Sequence, residues 1–324
     1  MILVADIGAT KTLIAVGTFR DRRWRPRIVR RYSDAEYHDF DSVLEAFFAE
    51  FAAAGHDTHG IRCASLAAAG PVHDRRIELT NRDWCIDPDA LARRFAIDHV
   101  RVINDFEAAA TGIAYLGDDA TVTLQPGVPM ASAPQVVIGA GSGLGVAYVL
   151  QDGRRRHIVS SEGGHASFAP TSLEQAELWR YLFDRKGRVT TEDVVSGPGL
   201  LRIHEFLCWR SGTPPPLGAL EPATIAESAI AGTELLCARA LDLFIECYGA
   251  IAGDHALSVC ARGGVFLAGG IASRILPRLT GGGLIAAFTA KGPQRALAAT
   301  IPVRVVTDET LPLIGAASEA CRTT

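Results

Sequence analysis

"VADIGATKTLIAV" (residues 4–16) matches "VVIGAGSGLGVAY" (residues 136–148) in the order of its apolar and small residues. Each stretch begins with a strand-like segment, passes through small residues and continues into a second strand-like segment, and Thr10 aligns with Ser142. A repeat of this kind indicates a duplicated unit in which each copy opens with a hairpin. Strands and helices alternate elsewhere in the chain, so the sequence predicts an α/β protein.

The remaining hydrophobic patterns predict individual elements. "DSVLEAFFAEFAAAG" (residues 41–55) has helical spacing and ends in Gly55, a suitable residue beyond a helix C-terminus. "VRVIND" (residues 100–105) is strand-like and runs directly into an Ala-rich helical segment. Further helices are expected at residues 173–185 and 197–209 and between 223 and 257, and a strand followed by a helix is expected near the C-terminus.

Composition describes an ordinary globular protein. The chain has 324 residues, which suggests two domains, and 48% of the residues are hydrophobic. The net charge of -4 gives no general attraction to nucleic acid or to an anionic membrane. No apolar run approaches the roughly 20 residues that span a bilayer, and the N-terminal residues lack a signal-peptide pattern. We therefore expect a cytoplasmic protein with neither nucleic acid nor membrane as partner.

Seven cysteines are scattered along the chain without a CxxC pair. This arrangement argues against a disulfide framework and against a Cys-rich zinc site, and it favours reduced thiols. A second local feature is "RDRRWRPRIVRR" (residues 20–31), which carries seven arginines. The alternatives are an anion-binding patch and the solvated face of a hairpin, and charge runs usually form solvated faces.

Three glycine-rich loops follow strand-like segments: Gly8-Ala9-Thr10, residues 139–145 and Gly269-Gly270. Glycine lets backbone N–H groups approach phosphate oxygens closely. None of the loops fits a known phosphate fingerprint, since Leu144 occupies the position of the last glycine of GxGxxG. A tight hairpin explains each loop alone, whereas three such loops in one α/β chain indicate nucleotide binding.

The first loop carries a carboxylate that its repeat lacks, because Asp6 aligns with Ile138. An acidic residue at a strand end beside a phosphate loop would face Mg²⁺ directly or through water, and the alternative is a turn-capping residue. Asn104 and Asp105 also lie at a strand end. Asn104 fits a helix N-cap with Glu107 as its capping-box partner, and Asp105 fits a base that accepts a proton from a hydroxyl group.

"SEGGHASF" (residues 161–168) places Glu162 and His165 on either side of two glycines. No third ligand lies nearby in the sequence, so a metal site is disfavoured and a polar pocket is the better interpretation. Glu192, in "TTEDVVSGPG" (residues 190–199), is a further candidate, and its alternative is a negative charge in the first turn of a helix.

Eight motifs run almost end to end through the chain: "ADIGAT", "TNRDW", "INDFEA", "GSGLGVA", "EGGHASFAP", "EDVVSGPG", "GGVFLAGGIASR" and "IPVRVVTDETLPLIGAA". With these motifs the chain resembles the bacterial glucokinases of the hexokinase type, members of the sugar kinase/Hsp70/actin superfamily. Two motifs depart from the family pattern, because "GGTN" is "GATK" here and "GTGLG" is "GSGLG". The zinc motif of the repressor/open-reading-frame/kinase (ROK) sugar kinases is absent, which favours the branch without zinc.

The resemblance implies a two-lobed actin/hexokinase-like ATPase fold of duplicated RNase H-like units, with a cleft between the lobes. It implies that ATP and Mg²⁺ are used to convert glucose to glucose 6-phosphate, with Asp105 as general base. The sugar hydroxyls would be held by Asn104, Asp105, Glu162, His165 and Glu192. The nucleotide would be held by Ala5, Asp6, Ile7, Gly8, Ala9, Thr10, Gly141, Ser142, Gly143, Gly269 and Gly270, with Asp6 toward the metal.

We expect a small lobe from residues 1–105 and about 303–324, a large lobe from about 106–302, and a homodimer by family resemblance. Two alternatives stay open. One is a kinase for another hexose, such as mannose, fructose or an N-acetylhexosamine, because the orientation of one hydroxyl depends on fine details of the pocket. The other is a non-catalytic regulator that senses sugar.

Overall fold

A computed structural model describes residues 1–8, 10–70, 72–79, 82–153, 155–214 and 220–320, except for the side chain of Asp118. The strands in these residues are β1 (Ile2–Ile7), β2 (Lys11–Arg20), β3 (Arg23–Ser33), β4 (Cys63–Ala68), β5 (Val72–His73), β6 (Arg76–Glu78), β7 (Cys85–Ile86), β8 (His99–Asn104), β9 (Thr121–Gln125), β10 (Gln135–Ala140), β11 (Leu144–Asp152), β12 (Arg155–Ser161), β13 (Gly264–Ala268) and β14 (Val303–Val306). The α-helices are α1 (Phe40–Ala53), α2 (Pro88–Phe95), α3 (Asp105–Gly112), α4 (Leu173–Lys186), α5 (Gly197–Ser211), α6 (Pro222–Ala231), α7 (Leu235–Ser258), α8 (Gly270–Arg274), α9 (Leu276–Leu279), α10 (Gly283–Thr289), α11 (Arg295–Thr300) and α12 (Leu311–Ala320). Internal contacts divide the chain into one unit of residues 1–117 together with the chain from residue 310 onward, and a second unit of residues 118–309.

The first unit is built on a sheet with the strand order β3-β2-β1-β4-β8. β1 and β2 form the predicted antiparallel hairpin, and β1, β4 and β8 run parallel to one another. The register pairs Asp6 with Ala67 and Asn104 with Ala68, so the three parallel strands end side by side at their carboxyl ends. This is the edge at which α/β sheets place their ligands.

The second unit repeats this arrangement. Its sheet has the order β12-β11-β10-β13-β14-β9, in which β10 and β11 form an antiparallel hairpin and β10, β13 and β14 run parallel. The α/β class and the duplication indicated by the sequence repeat are therefore confirmed. β14 pairs with β13 in this sheet, whereas the sequence placed the strand near residue 303 with the small lobe.

Helix α3 is held in the first unit by the C-terminal helix α12. The two helices pack at a crossing that has glycine on both sides, Gly112 of α3 and Gly315 of α12. A half-exposed ion pair between Arg101 of β8 and the buried Glu319 of α12, 3.1 Å apart, adds a polar contact. The position of α3 therefore depends on α12, although about 200 residues separate them in the sequence.

The arginine-rich stretch forms the end of β2, the turn and β3. Asp21 and Arg22 have positive φ angles of 54° and 59°, as a two-residue hairpin turn requires. All seven arginine side chains of residues 20–31 are exposed, so the hairpin interpretation is confirmed. Each described helix is too short or too polar to cross a membrane.

Candidate active site

Asn104 caps helix α3 at the carboxyl edge of the first sheet. Its Oδ1 accepts hydrogen bonds from the backbone N–H groups of Phe106 (2.9 Å) and Glu107 (3.2 Å), and its Nδ2 donates to the carbonyl oxygen of Gly70 at 3.1 Å. The Glu107 carboxyl accepts a hydrogen bond from the Asn104 backbone in return. The capping interpretation is therefore confirmed. The second Nδ2 hydrogen of Asn104 makes no bond within the described part of the chain and can be donated to a ligand.

Asp105 is the first residue of α3 and is only partly buried. Its Oδ1 accepts a hydrogen bond from the N–H of Phe106 at 2.9 Å, which fixes the carboxylate at the start of the helix. Asp105 is close enough to Asp6 to influence its ionisation, although β4 lies between β1 and β8. The structure thus brings together two of the predicted site residues from opposite ends of the first 105 residues.

Asp6 is in an environment that disfavours its charge. Burial raises the pKa of its carboxyl to about 7, the negative charges of Asp105 and Asp34 add to the rise, and Lys11 opposes it. A buried carboxyl with two like charges nearby and one lysine is stabilised in its ionised form by an added cation. The residues present therefore fit a divalent ion such as Mg²⁺, which prefers carboxylate oxygens and water as ligands.

Asp34 is a buried carboxyl that the sequence interpretation did not include. Its Oδ1 accepts a hydrogen bond from Thr12 Oγ1 at 2.7 Å, and its Oδ2 has no hydrogen-bond partner within the described ranges. Its backbone N–H donates to the carbonyl oxygen of Thr10 at 3.1 Å, which ties it to the first glycine loop. No local motif marks Asp34, because it becomes relevant only when β3 folds back along β2.

The first glycine loop links β1 and β2. The N–H of Gly8 donates to the carbonyl oxygen of Lys11 at 3.1 Å, and the side chain of Thr10 is exposed. Ala5 and Ile7 are buried within β1. Ala9, the residue at which the chain departs from the family's glycine, lies outside the described residues.

The second and third glycine loops lie together in the second unit. Gly141, Ser142 and Gly143 form the tip of the β10–β11 hairpin, and Gly269 and Gly270 follow β13, which is parallel to β10. Gly269 has a φ of 83°, and a Cβ on it would lie 2.7 Å from the carbonyl oxygen of Ala140. Glycine is therefore required at Gly269 for both conformation and space. The exposed Ser142, Gly269 and Gly270 leave this end of the sheet accessible.

Glu162 precedes a short 3₁₀ helix, Gly163–His165, that follows β12, and His165 is the last residue of that helix. Glu162 Oε2 and His165 Nε2 are 3.9 Å apart, and both side chains are largely exposed, 75% and 57% respectively. The glycines between them are needed for packing: a Cβ on Gly164 would lie 2.1 Å from the carbonyl oxygen of Leu144, and one on Gly163 would lie 2.7 Å from the ring of His255. The two polar side chains thus belong to a segment whose backbone packs closely against β11.

Glu192 lies beside this segment and before helix α5, so it is not a first-turn helix residue. Its Oε2 accepts a hydrogen bond from the N–H of Leu144 at 2.8 Å, and its backbone N–H donates to the carbonyl oxygen of Gly164 at 2.9 Å. A Cβ on Gly143 would lie 2.5 Å from Glu192 Oε2. Glu192 therefore joins the segment of residues 162–168 to the second glycine loop, and one of its carboxylate oxygens is already hydrogen-bonded.

Thr191 is a second residue that the sequence interpretation missed. Its buried hydroxyl donates to the carbonyl oxygen of Gly164 at 2.7 Å and lies 3.1 Å from that of Gly163, and its N–H donates to that of Ala166 at 2.9 Å. The bond between the N–H of Gly197 and the carbonyl oxygen of Gly141, 2.8 Å long, closes the same group of segments. Residues 141–144, 162–168 and 190–197 thus form one hydrogen-bonded cluster within the second unit.

Comparison with known proteins agrees with this arrangement. The glucokinase family model matches residues 3–323. A glucokinase from Nostoc sp. (strain PCC 7120) is 34% identical over 343 aligned residues, with 99% of each chain covered. A glucokinase from Synechocystis sp. is 36% identical, with 97% of this chain and 96% of the relative covered.

The fold is also similar to that of a solved glucokinase structure. The crystal structure of a glucokinase from an Antarctic psychrotroph superposes with a TM-score of 0.82 at 29% identity, covering 99% of this chain and 98% of that one. The match of fold extends over the same length as the match of sequence. The chain therefore belongs to the glucokinase family, the enzymes that phosphorylate glucose at the expense of ATP.

Proposed function

We propose that this chain transfers the terminal phosphoryl group of ATP to the 6-hydroxyl of glucose, with Asp105 as the general base. The observation that carries the assignment is the position of Asp105, partly exposed at the carboxyl edge of the first sheet and held by the N–H of Phe106. Such a carboxylate can accept the hydroxyl proton as the hydroxyl oxygen attacks phosphorus. Its neighbour Asn104 offers one amide hydrogen to a second sugar hydroxyl.

We propose that Glu162, His165 and Glu192 bind the other hydroxyls. Sugar hydroxyls both donate and accept hydrogen bonds, and carboxylates and an imidazole provide partners of both kinds. The cluster of residues 141–144, 162–168 and 190–197 supports this role, because Thr191 and the two glycines hold the Glu162 and His165 segment in one conformation. Glu192 keeps one carboxylate oxygen for the sugar while Leu144 fixes the other.

The phosphates would be bound by the backbone of residues 5–10, of residues 141–143 and of Gly269-Gly270. Mg²⁺ would be held by Asp6, directly or through water, and when bound it would neutralise charge on the transferred phosphate. The raised pKa of Asp6 supports this role, because the carboxyl lacks a full positive counter-charge of its own. Lys11 lowers that pKa, and the family has Asn at this position.

The two units would be the two lobes of the kinase, divided near residues 117 and 309. By family resemblance the protein would be a cytoplasmic homodimer. Analytical ultracentrifugation tests the dimer: a purified chain that sediments at the mass of one 34.5 kDa protomer over the micromolar range would contradict it.

A panel of hexoses with ATP and Mg²⁺, read by ADP release, tests the proposed function. Glucose should give the highest kcat/KM, above mannose, fructose and N-acetylglucosamine, and the product should carry phosphate on the 6-oxygen by NMR. A preference for another hexose would replace the substrate and keep the chemistry. Sugar binding by calorimetry without turnover on any hexose would overturn the kinase assignment and leave a sugar sensor.

A further inference from the structure

A cluster of metal-binding side chains lies in the second unit, on helices α5 and α7. His204 and Cys208 are four residues apart on α5, so they share one face of the helix. Glu234 is the N-cap of α7, and Cys237 is in its first turn. One ligand atom from each of His204, Glu234 and Cys237 lies within 4.8 Å of the others. Cys208 Sγ is 3.8 Å from His204 Nδ1.

His204 is buried, with 3% of its surface exposed. Its ring nitrogens contact Cys208 Sγ at 3.8 and 4.0 Å and make no hydrogen bond to oxygen or nitrogen of any residue that the structure describes. Buried imidazoles normally have such a partner. A neutral imidazole offers the lone pair of one ring nitrogen to a metal ion.

Helix capping explains Glu234 but not the whole cluster. The Glu234 carboxylate accepts hydrogen bonds from the backbone N–H groups of Leu236 and Cys237. This accounts for an acidic residue at the start of α7. It does not account for an imidazole and two sulfurs, all buried, that meet at the same point of contact between α5 and α7.

We propose that His204, Glu234 and Cys237 bind a divalent transition-metal ion, Zn²⁺ by their chemistry, with Cys208 as the fourth ligand. Thiolate, imidazole and carboxylate together are the ligand types of zinc, and Mg²⁺ and Ca²⁺ prefer oxygen ligands alone. Zinc bond lengths place tetrahedral ligand atoms roughly 3.5 Å apart, so the ligand atoms of His204, Glu234 and Cys237 need side-chain movements of about 1 Å. Cys208, whose sulfur contacts the His204 ring, would complete the site by turning its side chain toward the ion. The exposed Glu234 gives the ion a path from solvent.

Four protein ligands make this site structural, since a catalytic zinc keeps a position for water or substrate. The ion would link α5, which follows the segment of residues 190–197, to the start of the longest helix of the second unit. The role does not depend on the proposed kinase chemistry, because none of the four residues belongs to the candidate active site. The sequence shows no CxxC pair here, since the ligands come in two pairs, H-x₃-C and E-x₂-C, on separate helices.

Titration with Co²⁺ tests the site, because Co²⁺ occupies tetrahedral zinc sites and its bond to thiolate absorbs in the near ultraviolet. The full chain, reduced and treated with chelator, should bind one Co²⁺ with this absorption and release it to one Zn²⁺. Cys237→Ser should weaken Co²⁺ binding and at least halve the absorption, because only the Cys208 thiolate would remain. Cys260→Ser, at an exposed cysteine outside the cluster, should keep the absorption. Sub-stoichiometric binding by the wild type, or an unchanged signal in Cys237→Ser, would overturn the proposal.

A second variant covers the case in which Cys237→Ser does not fold. Glu234 is exposed, and Gln at the same position keeps an oxygen for the helix cap. Glu234→Gln should therefore fold and bind Zn²⁺ about tenfold more weakly or worse, as dialysis against Zn²⁺ alone would measure. Zn²⁺ should also raise the thermal unfolding temperature of the wild type more than that of Glu234→Gln. Equal affinities and equal stabilisation of the two proteins would contradict the assignment.

Discussion

Gly315 of α12 lies directly against the carbonyl oxygen of Ala108 in α3: a Cβ at Gly315 would be 1.8 Å from that oxygen. The other side of the crossing is also too close for a side chain, because a Cβ at Gly112 would lie 2.5 Å from the carbonyl oxygen of Leu311. The two helix backbones thus touch without side chains between them. This contact fixes α3, and with it Asp105 at the first position of the helix.

Gly315→Ala should destabilise the protein and lower its activity. Helix propensity alone would stabilise the variant by about 1 kcal/mol, but the methyl group must push α12 away from α3, at a cost of about 3 kcal/mol. The shift of α3 should also reduce kcat about tenfold or more, because catalysis is sensitive to displacements near 1 Å. Chemical denaturation and steady-state kinetics measure the two effects.

Gly283→Ala is the matched control. Gly283 also lies in a helix, but a Cβ there would meet its nearest neighbour, a methyl carbon of Ile245, at 3.8 Å. This variant should be as stable as the wild type or slightly more stable. A Gly315→Ala protein that is stabilised like the control would show that the two helices separate easily, and the proposed anchoring of α3 would be wrong.

Asp105→Asn tests the general base. The amide has the size of the carboxylate and can still accept the hydrogen bond from Phe106, so the fold and the glucose affinity should be retained. General-base catalysis contributes a factor of about 10² to 10⁴, and kcat should fall by that amount. Calorimetric titration with glucose and a coupled ADP assay separate binding from turnover.

Asp184→Asn supplies the comparison, because Asp184 is an exposed carboxylate on α4 in no ion pair or hydrogen bond that the described residues show. Its kcat should equal that of the wild type. Turnover by Asp105→Asn near the wild-type rate would remove Asp105 from the role of base. A loss of glucose binding equal to the loss of kcat would make it a sugar ligand only.

The parts of the site that the sequence predicted are those in which one short segment carries both the structure and the chemistry. Asn104 and Asp105 follow a strand pattern and open a helix, so their place at the sheet edge follows from local rules. The tips of the β1–β2 and β10–β11 hairpins could be predicted for the same reason, since small residues between two apolar runs usually form a turn.

Contacts between segments that are distant in the sequence could not be predicted. Asp34 approaches Asp6 only after β3 pairs with β2, and the anchoring of α3 by Gly315 joins the two ends of the chain. Glycine is required at Gly164 because a side chain there would meet the carbonyl oxygen of Leu144, a neighbour about 20 residues away that local sequence does not reveal. Local sequence patterns predict helices, strands and turns, but they do not predict which distant residues come into contact after folding.

Gly141→Ala tests whether the second loop binds phosphate. A Cβ at Gly141 would have no atom within 4 Å in the protein alone, so the variant should fold with wild-type stability. If backbone N–H groups of the loop approach the phosphates, the added methyl group should raise the KM for ATP several-fold and leave the KM for glucose unchanged. Kinetics with each substrate varied in turn distinguishes the two constants.

Gly143→Ala changes the same loop as Gly141→Ala but should affect the other substrate. A Cβ there would lie 2.5 Å from Glu192 Oε2, so this variant should disturb the carboxylate proposed to bind sugar and raise the KM for glucose. An unchanged KM for ATP in Gly141→Ala would mean that the phosphates do not approach this loop, because the added methyl group has no other neighbour in the protein.

Asp193, next to Glu192, makes a pH-dependent contribution to stability. It is buried, it accepts hydrogen bonds from Lys186 Nζ and from the N–H and hydroxyl of Thr190, and Arg202 lies 3.4 Å away. Burial alone would raise the pKa of Asp193, but the bonds from Lys186 and Thr190 outweigh burial and lower it. The folded protein therefore binds the proton of this carboxyl more weakly than the unfolded chain does.

Because the pKa of Asp193 is lower in the folded protein, the stabilisation is complete above the unfolded pKa of about 3.9 and is lost as the pH falls through the folded value. Asp193→Asn should cost about 2 kcal/mol of unfolding free energy at pH 7. The difference from wild type should shrink below about pH 4. Denaturation at several pH values measures this, with Asp184→Asn as the comparison that should show no such trend. A deficit that stays constant down to pH 3 would mean that the Asp193 variant loses packing, and that the ion pair with Lys186 contributes nothing.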